Sequence, residues 1–202
     1  MRKSLGYLGQ TPSQTAGPYV HIGLAPGHAG LEGPWLEFAS TMVRAETNGE
    51  RITITGTVFD GADAPLRDAL IEIWQADADG IYPGRGDPRG AGDPFFTGFG
   101  RQAADAQTGE FRFETIRPGP VPAPGGGMMA PHIGFWIVAR GINLGLHTRM
   151  YFPEDDHAAD PLLARIEHRD RIRTLIAQKQ NDVMYQFNIY LQGSEETIFF
   201  DI

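Results

Sequence analysis

The chain has 202 residues, with 17 basic and 25 acidic side chains, a formal charge of −8 and no cysteine. A domain of this length buries roughly 70% of its unfolded surface and needs neither disulfides nor a structural metal to fold. The missing thiols exclude disulfide frameworks, thiolate nucleophiles, cysteine-rich zinc sites and iron–sulfur clusters, and the acidic balance (pI about 5.2) argues against nucleic acid or an anionic membrane as partner.

Residues 1–35 are rich in Gly, Pro, Ser and Thr and read as an extended arm, with Tyr19, Val20, Ile22 and Leu24 as apolar anchors. The basic start is followed by no apolar stretch, so no signal peptide is expected. No run approaches the roughly 20 apolar residues of a membrane helix, and the expected compartment is the cytoplasm. Residues 1–50 are taken as an arm and connecting segment packed on the domain or on a partner, and 51–202 as a single β-sandwich domain.

From Arg51 the apolar period becomes two: Ile52, Ile54 and Val58 alternate with Thr53, Thr55 and Thr57, and Gly56 suggests a bulge. Asp60 to Pro65 forms a turn, and Ala69–Trp74 a second strand. The Gly/Pro-rich stretch 80–100 is a long loop, Glu110–Ile116 alternates as a strand, and 117–127 is a second long loop. Further strands are expected at 132–140, 147–152, 185–192 and 197–200. Between them Asp160 caps a helix starting at Pro161, with Leu162, Leu163 and Ile166, then Ile172, Leu175 and Ile176, on one face. The pattern predicts an all-β fold: a sandwich of seven to nine short strands, an extended N-terminal arm and a helical excursion near 158–180. Arg165, Arg169, Arg171, Arg173 and Lys179, interleaved with acids, read as its solvated face.

Several spaced blocks carry more. Ile54-x-Gly56-x-Val58, Ile71-Glu72-Ile73-Trp74-Gln75-Ala76, Gly80-x-Tyr82, Gly109-x-Phe111, Thr115-Ile116-Arg117-Pro118-Gly119-Pro120 and Pro131-His132-Ile133-x-Phe135 occur in that order. The set resembles the intradiol ring-cleavage dioxygenases. Thr11 to Tyr19, the run Ala139-Arg140-Gly141-Ile142-Asn143 and the C-terminal Thr197 to Asp201 are similar to the alpha chain of the family's two-chain members. The resemblance implies a β-sandwich, non-haem Fe(III) and assembly with a homologous beta chain as obligate partner. It also implies cleavage of 3,4-dihydroxybenzoate by O2 to 3-carboxy-cis,cis-muconate.

Catalytic chains of the family bind Fe(III) through two Tyr and two His, one Tyr following Lys/Arg-Pro-Gly-Pro and both His lying in His-x-His-Phe. Phenolate oxygens suit ferric iron, and a His-x-His pair on a strand puts both imidazoles on one face. Here Val121 follows Arg117-Pro118-Gly119-Pro120, Gly134 stands at the second His, and loop 83–100 offers no Tyr. His132 is then a packing remnant, iron is expected on the beta chain, and no catalytic residue is expected in this one. His28, His157 and His168 read as surface.

In the family the alpha arm walls part of the substrate pocket, which by resemblance carries over to Thr15, Ala16, Gly17, Pro18 and Tyr19. Arg140 is the cationic candidate for an anionic substrate or for the subunit contact. Two other readings stay open: an autonomous metalloenzyme using His21, His132 and His147, and a non-enzymatic β-sandwich binding module.

Overall fold

Alternating burial along Arg51–Phe59 (β1) builds the first sheet. Ile52, Ile54, Gly56 and Val58 face inward, and the threonines between them are half-exposed. The computed structural model describes residues 9, 12, 14–33, 40–84, 87–143 and 145–201. After β1 come Leu70–Trp74 (β2), Phe99–Ala103 (β3), Glu110–Ile116 (β4) and the short pair Val121–Pro122 (β5) and Met128–Met129 (β6). His132–Val138 (β7), Leu146–Tyr151 (β8), Gln178–Asn181 (β9), Met184–Gln186 (β10) and Ile189–Tyr190 (β11) complete the set.

β1 pairs antiparallel with β4 along one edge and parallel with β10 and β11 along the other, with β9 hydrogen-bonded to β10. The second sheet runs β3-β2-β7-β8, every neighbour antiparallel. The two sheets close on one core, where Ile54, Phe111 and Phe113 meet Ile71, Ile73, Ile133, Phe135 and Ile137. Aromatic rings tie the layers, Phe135 lying 5.9 Å from Phe111 and 5.2 Å from Phe187 between centroids. No helix among the described residues is long and apolar enough to cross a membrane.

Several local expectations are corrected. The β1–β4 register runs unbroken through Gly56, so there is no bulge; a Cβ there would fall 2.0 Å from the Phe187 carbonyl oxygen and 2.6 Å from the Phe111 ring. Glycine is required by close approach. The excursion is two 3-10 turns, Leu163–Arg165 and Arg169–Leu175, and Lys179 belongs to a strand. Asp160 does cap the first turn, its Oδ1 accepting from the Leu162 and Leu163 N–H groups at 2.8 and 3.1 Å. Residues 197–200 contribute only a bridge, His147 to Phe200, in place of a strand. The arm, expected to be extended, carries a helix at Pro18–Leu24 (α1), with Gly17 as N-cap and Pro18 where its fixed φ starts a helix.

Candidate functional site

Side chains alternate along β7, so with Ile133, Phe135 and Ile137 in the core, His132, Gly134 and Trp136 share the outer face of the second sheet. Register sets Tyr151, Arg149 and His147 of β8 beside those three, and Trp74 and Glu72 of β2 beside Gly134 and Trp136. His132 is 3% exposed. Its Nδ1 donates to the Ala130 carbonyl oxygen at 2.7 Å, leaving Nε2 facing the Tyr82 hydroxyl at 3.5 Å. Burial, reinforced by the Arg149 charge, holds the imidazole pKa at about 4 and keeps the ring neutral near pH 7. Burial also pushes the Tyr82 phenol up, and the Tyr151 phenol up to about 12.

Tyr82 was not anticipated there, because it lies 50 residues from His132 in the chain. It arrives on a turn organised by the buried Asp77, whose Oδ1 accepts from the Asp79 and Ile81 N–H groups and whose Oδ2 accepts from that of Asp93. Two side chains of iron-ligand type therefore stand together, one more than the sequence reading allows. The remaining positions do not fit iron. Val121 packs with Ala76 and Met129, Gly134 has no side chain, and opposite Gly134 stands the Arg149 cation. A fixed guanidinium beside one neutral imidazole and one phenol repels a ferric ion. Among the described residues no three His, Cys, Asp or Glu side chains are grouped to hold a metal. His21, His132 and His147 do not converge: His132 and His147 are four residues out of register on adjacent strands, about 13 Å apart, and His21 lies on the arm. His157, expected at the surface, is half-buried with its ring edge-on to Tyr151.

The second region lies under the arm. Ala16, Gly17, Pro18 and Arg140 line one cleft of about 240 Å³ together with His21 and Asp68. Thr15 fastens the arm above it, its hydroxyl accepting from the Gly141 N–H at 2.8 Å and donating to the Ala139 carbonyl oxygen at 3.4 Å. The Arg140 side chain is 83% exposed; its backbone N–H donates to Asp68 at 3.2 Å and its Nε lies 3.9 Å from the same carboxylate. Burial lowers the His21 pKa, helped by nearby His28, whose ring centroid lies 5.4 Å away. Tyr19 is 86% exposed and outside the cleft. Asp68 was missed, since nothing in sequence distinguishes an aspartate just before a strand. Arg117 of the Arg-Pro-Gly-Pro block is structural: it pairs with Asp155 at 2.6 Å and lies over the Phe152 ring. The basic residues near 170 are at or near the surface but partly paired, Arg171 with Glu196 and Arg173 with Glu195.

Residues 32–193 match the family model described as dioxygenase. The chain is similar to the protocatechuate 3,4-dioxygenase alpha chain of Pseudomonas putida, 43% identical over 96% of this chain and 97% of that one. It is also similar to the protocatechuate 3,4-dioxygenase beta chain of Burkholderia cepacia, 36% identical over 75% of this chain and 68% of that one. Among solved structures, the intradiol ring-cleavage dioxygenase of Tetranychus urticae shares the fold, with a TM-score of 0.56 at 21% identity over 79% of this chain and 90% of that one.

Proposed function

The chain belongs to the intradiol ring-cleavage dioxygenase family, and we propose that it is the alpha subunit of a protocatechuate 3,4-dioxygenase whose Fe(III) is held by a homologous beta chain. The reading is supported by a family match spanning nearly the whole chain together with side chains that do not fit iron: Val121, Gly134 and the Arg149 cation stand around the His132–Tyr82 pair. No bond-making step is assigned to this chain. The cleft under the arm is its contribution to the pocket.

There Gly17 and Pro18 offer backbone without bulk to a planar ring, and Thr15 holds the segment against the 139–141 turn. Arg140, held through its N–H by Asp68, presents an open guanidinium to the substrate carboxylate. Tyr19, Ile22 and Leu31 are exposed apolar side chains on or just after the arm helix, and they suit burial against the beta chain. Docking would close the cleft, exclude water and orient 3,4-dihydroxybenzoate for cleavage by O2 to 3-carboxy-cis,cis-muconate. The expected compartment is the cytoplasm.

The test is co-expression with a candidate beta chain. Ring cleavage should appear in the co-purified pair and be absent from this chain alone. Turnover by the isolated chain, or failure to co-purify with any homologous beta chain encoded in the same genome, overturns the reading.

A further inference from the structure

Beside the His132–Tyr82 pair, the outer face of the second sheet opens into a cavity of about 310 Å³, within the range of small-molecule sites. Its walls are aromatic: Trp74, Phe99, Trp136 and Phe200, with Leu162 at the margin. Trp74 is 51% exposed, a large apolar ring left open to water, and Phe99 supports it edge-on at 5.7 Å. Gly134 forms part of the floor, and its missing side chain leaves the space between Trp74 and Arg149 clear.

The cavity has one charged group without a counter-ion. Among the described residues no carboxylate lies within 4.0 Å of the Arg149 guanidinium, whereas Arg101, Arg117 and Arg171 each have one. One guanidinium nitrogen lies 3.3 Å from the Met129 sulfur, a poor substitute. The nearby carboxylates are committed elsewhere. Glu72 is paired with Arg101 at 2.6 Å, and Asp160 accepts from the Ala130, Leu162 and Leu163 N–H groups. A half-buried guanidinium in an aromatic recess favours a planar anion that offers two acceptor oxygens to its fork and a ring face to the indoles.

We propose that this cavity is a metal-free binding site for a small aromatic carboxylate, held by Arg149 through the carboxylate and by Trp74 and Trp136 through the ring. The site is separate from the arm cleft and needs no partner chain, so its test leaves the alpha-subunit reading untouched.

The experiment is calorimetric titration of the purified full-length chain with benzoate, using benzamide and acetate as probes lacking the charge or the ring. Saturable benzoate binding with Kd below about 1 mM is expected, with benzamide and acetate each at least tenfold weaker. Arg149→Gln should weaken benzoate at least tenfold, and Arg149→Lys less. Trp74→Ala, at an exposed position that leaves the core intact, should also weaken it and keeps the test decisive if Arg149→Gln does not fold. The proposal is overturned by no saturable benzoate binding, by equal binding of acetate, or by binding indifferent to Arg149→Gln and Trp74→Ala.

Discussion

The outer-sheet cavity stands on four hydrogen-bonded strands, with its floor backed by the buried Ile73, Ile133 and Phe135. The cleft under the arm has one wall on the 139–141 turn; the other comes from the start of a seven-residue helix with no buried residue. The first geometry is fixed by the core of this chain. The second rests on a helix whose Tyr19 and Ile22 are exposed. On the proposed function, the family's ligand positions keep a rigid floor without an iron-binding set, and the arm cleft is the part offered to a shared pocket.

The difference can be broken most forcefully at Phe135, whose ring underlies the cavity and packs on Phe111 and Phe187. Phe135→Ala should destabilise the chain by about 3–5 kcal/mol in urea unfolding. A loss under about 1 kcal/mol would mean that the floor is not anchored in the core.

His132 tests the same region through pH. Its pKa is 6.5 when unfolded and about 4 when folded, so the unfolded state takes up the proton first. The contribution of the neutral ring is complete above pH 6.5 and is lost as pH falls towards 4, by up to about 3 kcal/mol. His132→Asn should flatten that acid limb, whatever it does to stability at neutral pH. An unchanged limb would assign it to other groups.

Smaller effects belong to the arm cleft. Arg140→Ala in the assembled enzyme should raise KM for dihydroxybenzoate severalfold, about 1 kcal/mol, with chain stability unchanged because the ion pair to Asp68 is long and exposed. Unchanged kinetics would remove Arg140 from the pocket. Deleting residues 1–24 should alter the stability of the isolated chain by less than about 0.5 kcal/mol while lowering partner retention. Unfolding of the truncated chain would contradict the comparison.

What could be read in advance follows from where burial writes a pattern. β1 and β4 were legible because one face is buried and the other wet, giving strict alternation. β3 was not, since its inward position is Gly100, packed against Met42 and Phe113 in place of a large apolar side chain. β9 has four exposed polar residues and carries no burial signal. The apolar spacing after Pro161 was real, but a 3-10 turn buries the same residues as the first turn of an α-helix. At the site, the reading of Val121 and Gly134 as replaced ligand positions rests on their place in the sequence blocks. The arrival of Tyr82 at His132 and the placement of Arg149 opposite Gly134 depend on loop path and strand register, which local sequence does not encode.

On the proposed function, iron and turnover belong to an assembly and not to this chain. The most direct measurement is iron content, together with the visible tyrosinate-to-iron absorption, of this chain purified alone and with its beta partner from the same iron-supplemented culture. The expected result is a colourless, iron-free chain and a coloured complex holding one iron per alpha–beta pair. Stoichiometric iron with that absorption in the isolated chain would contradict it.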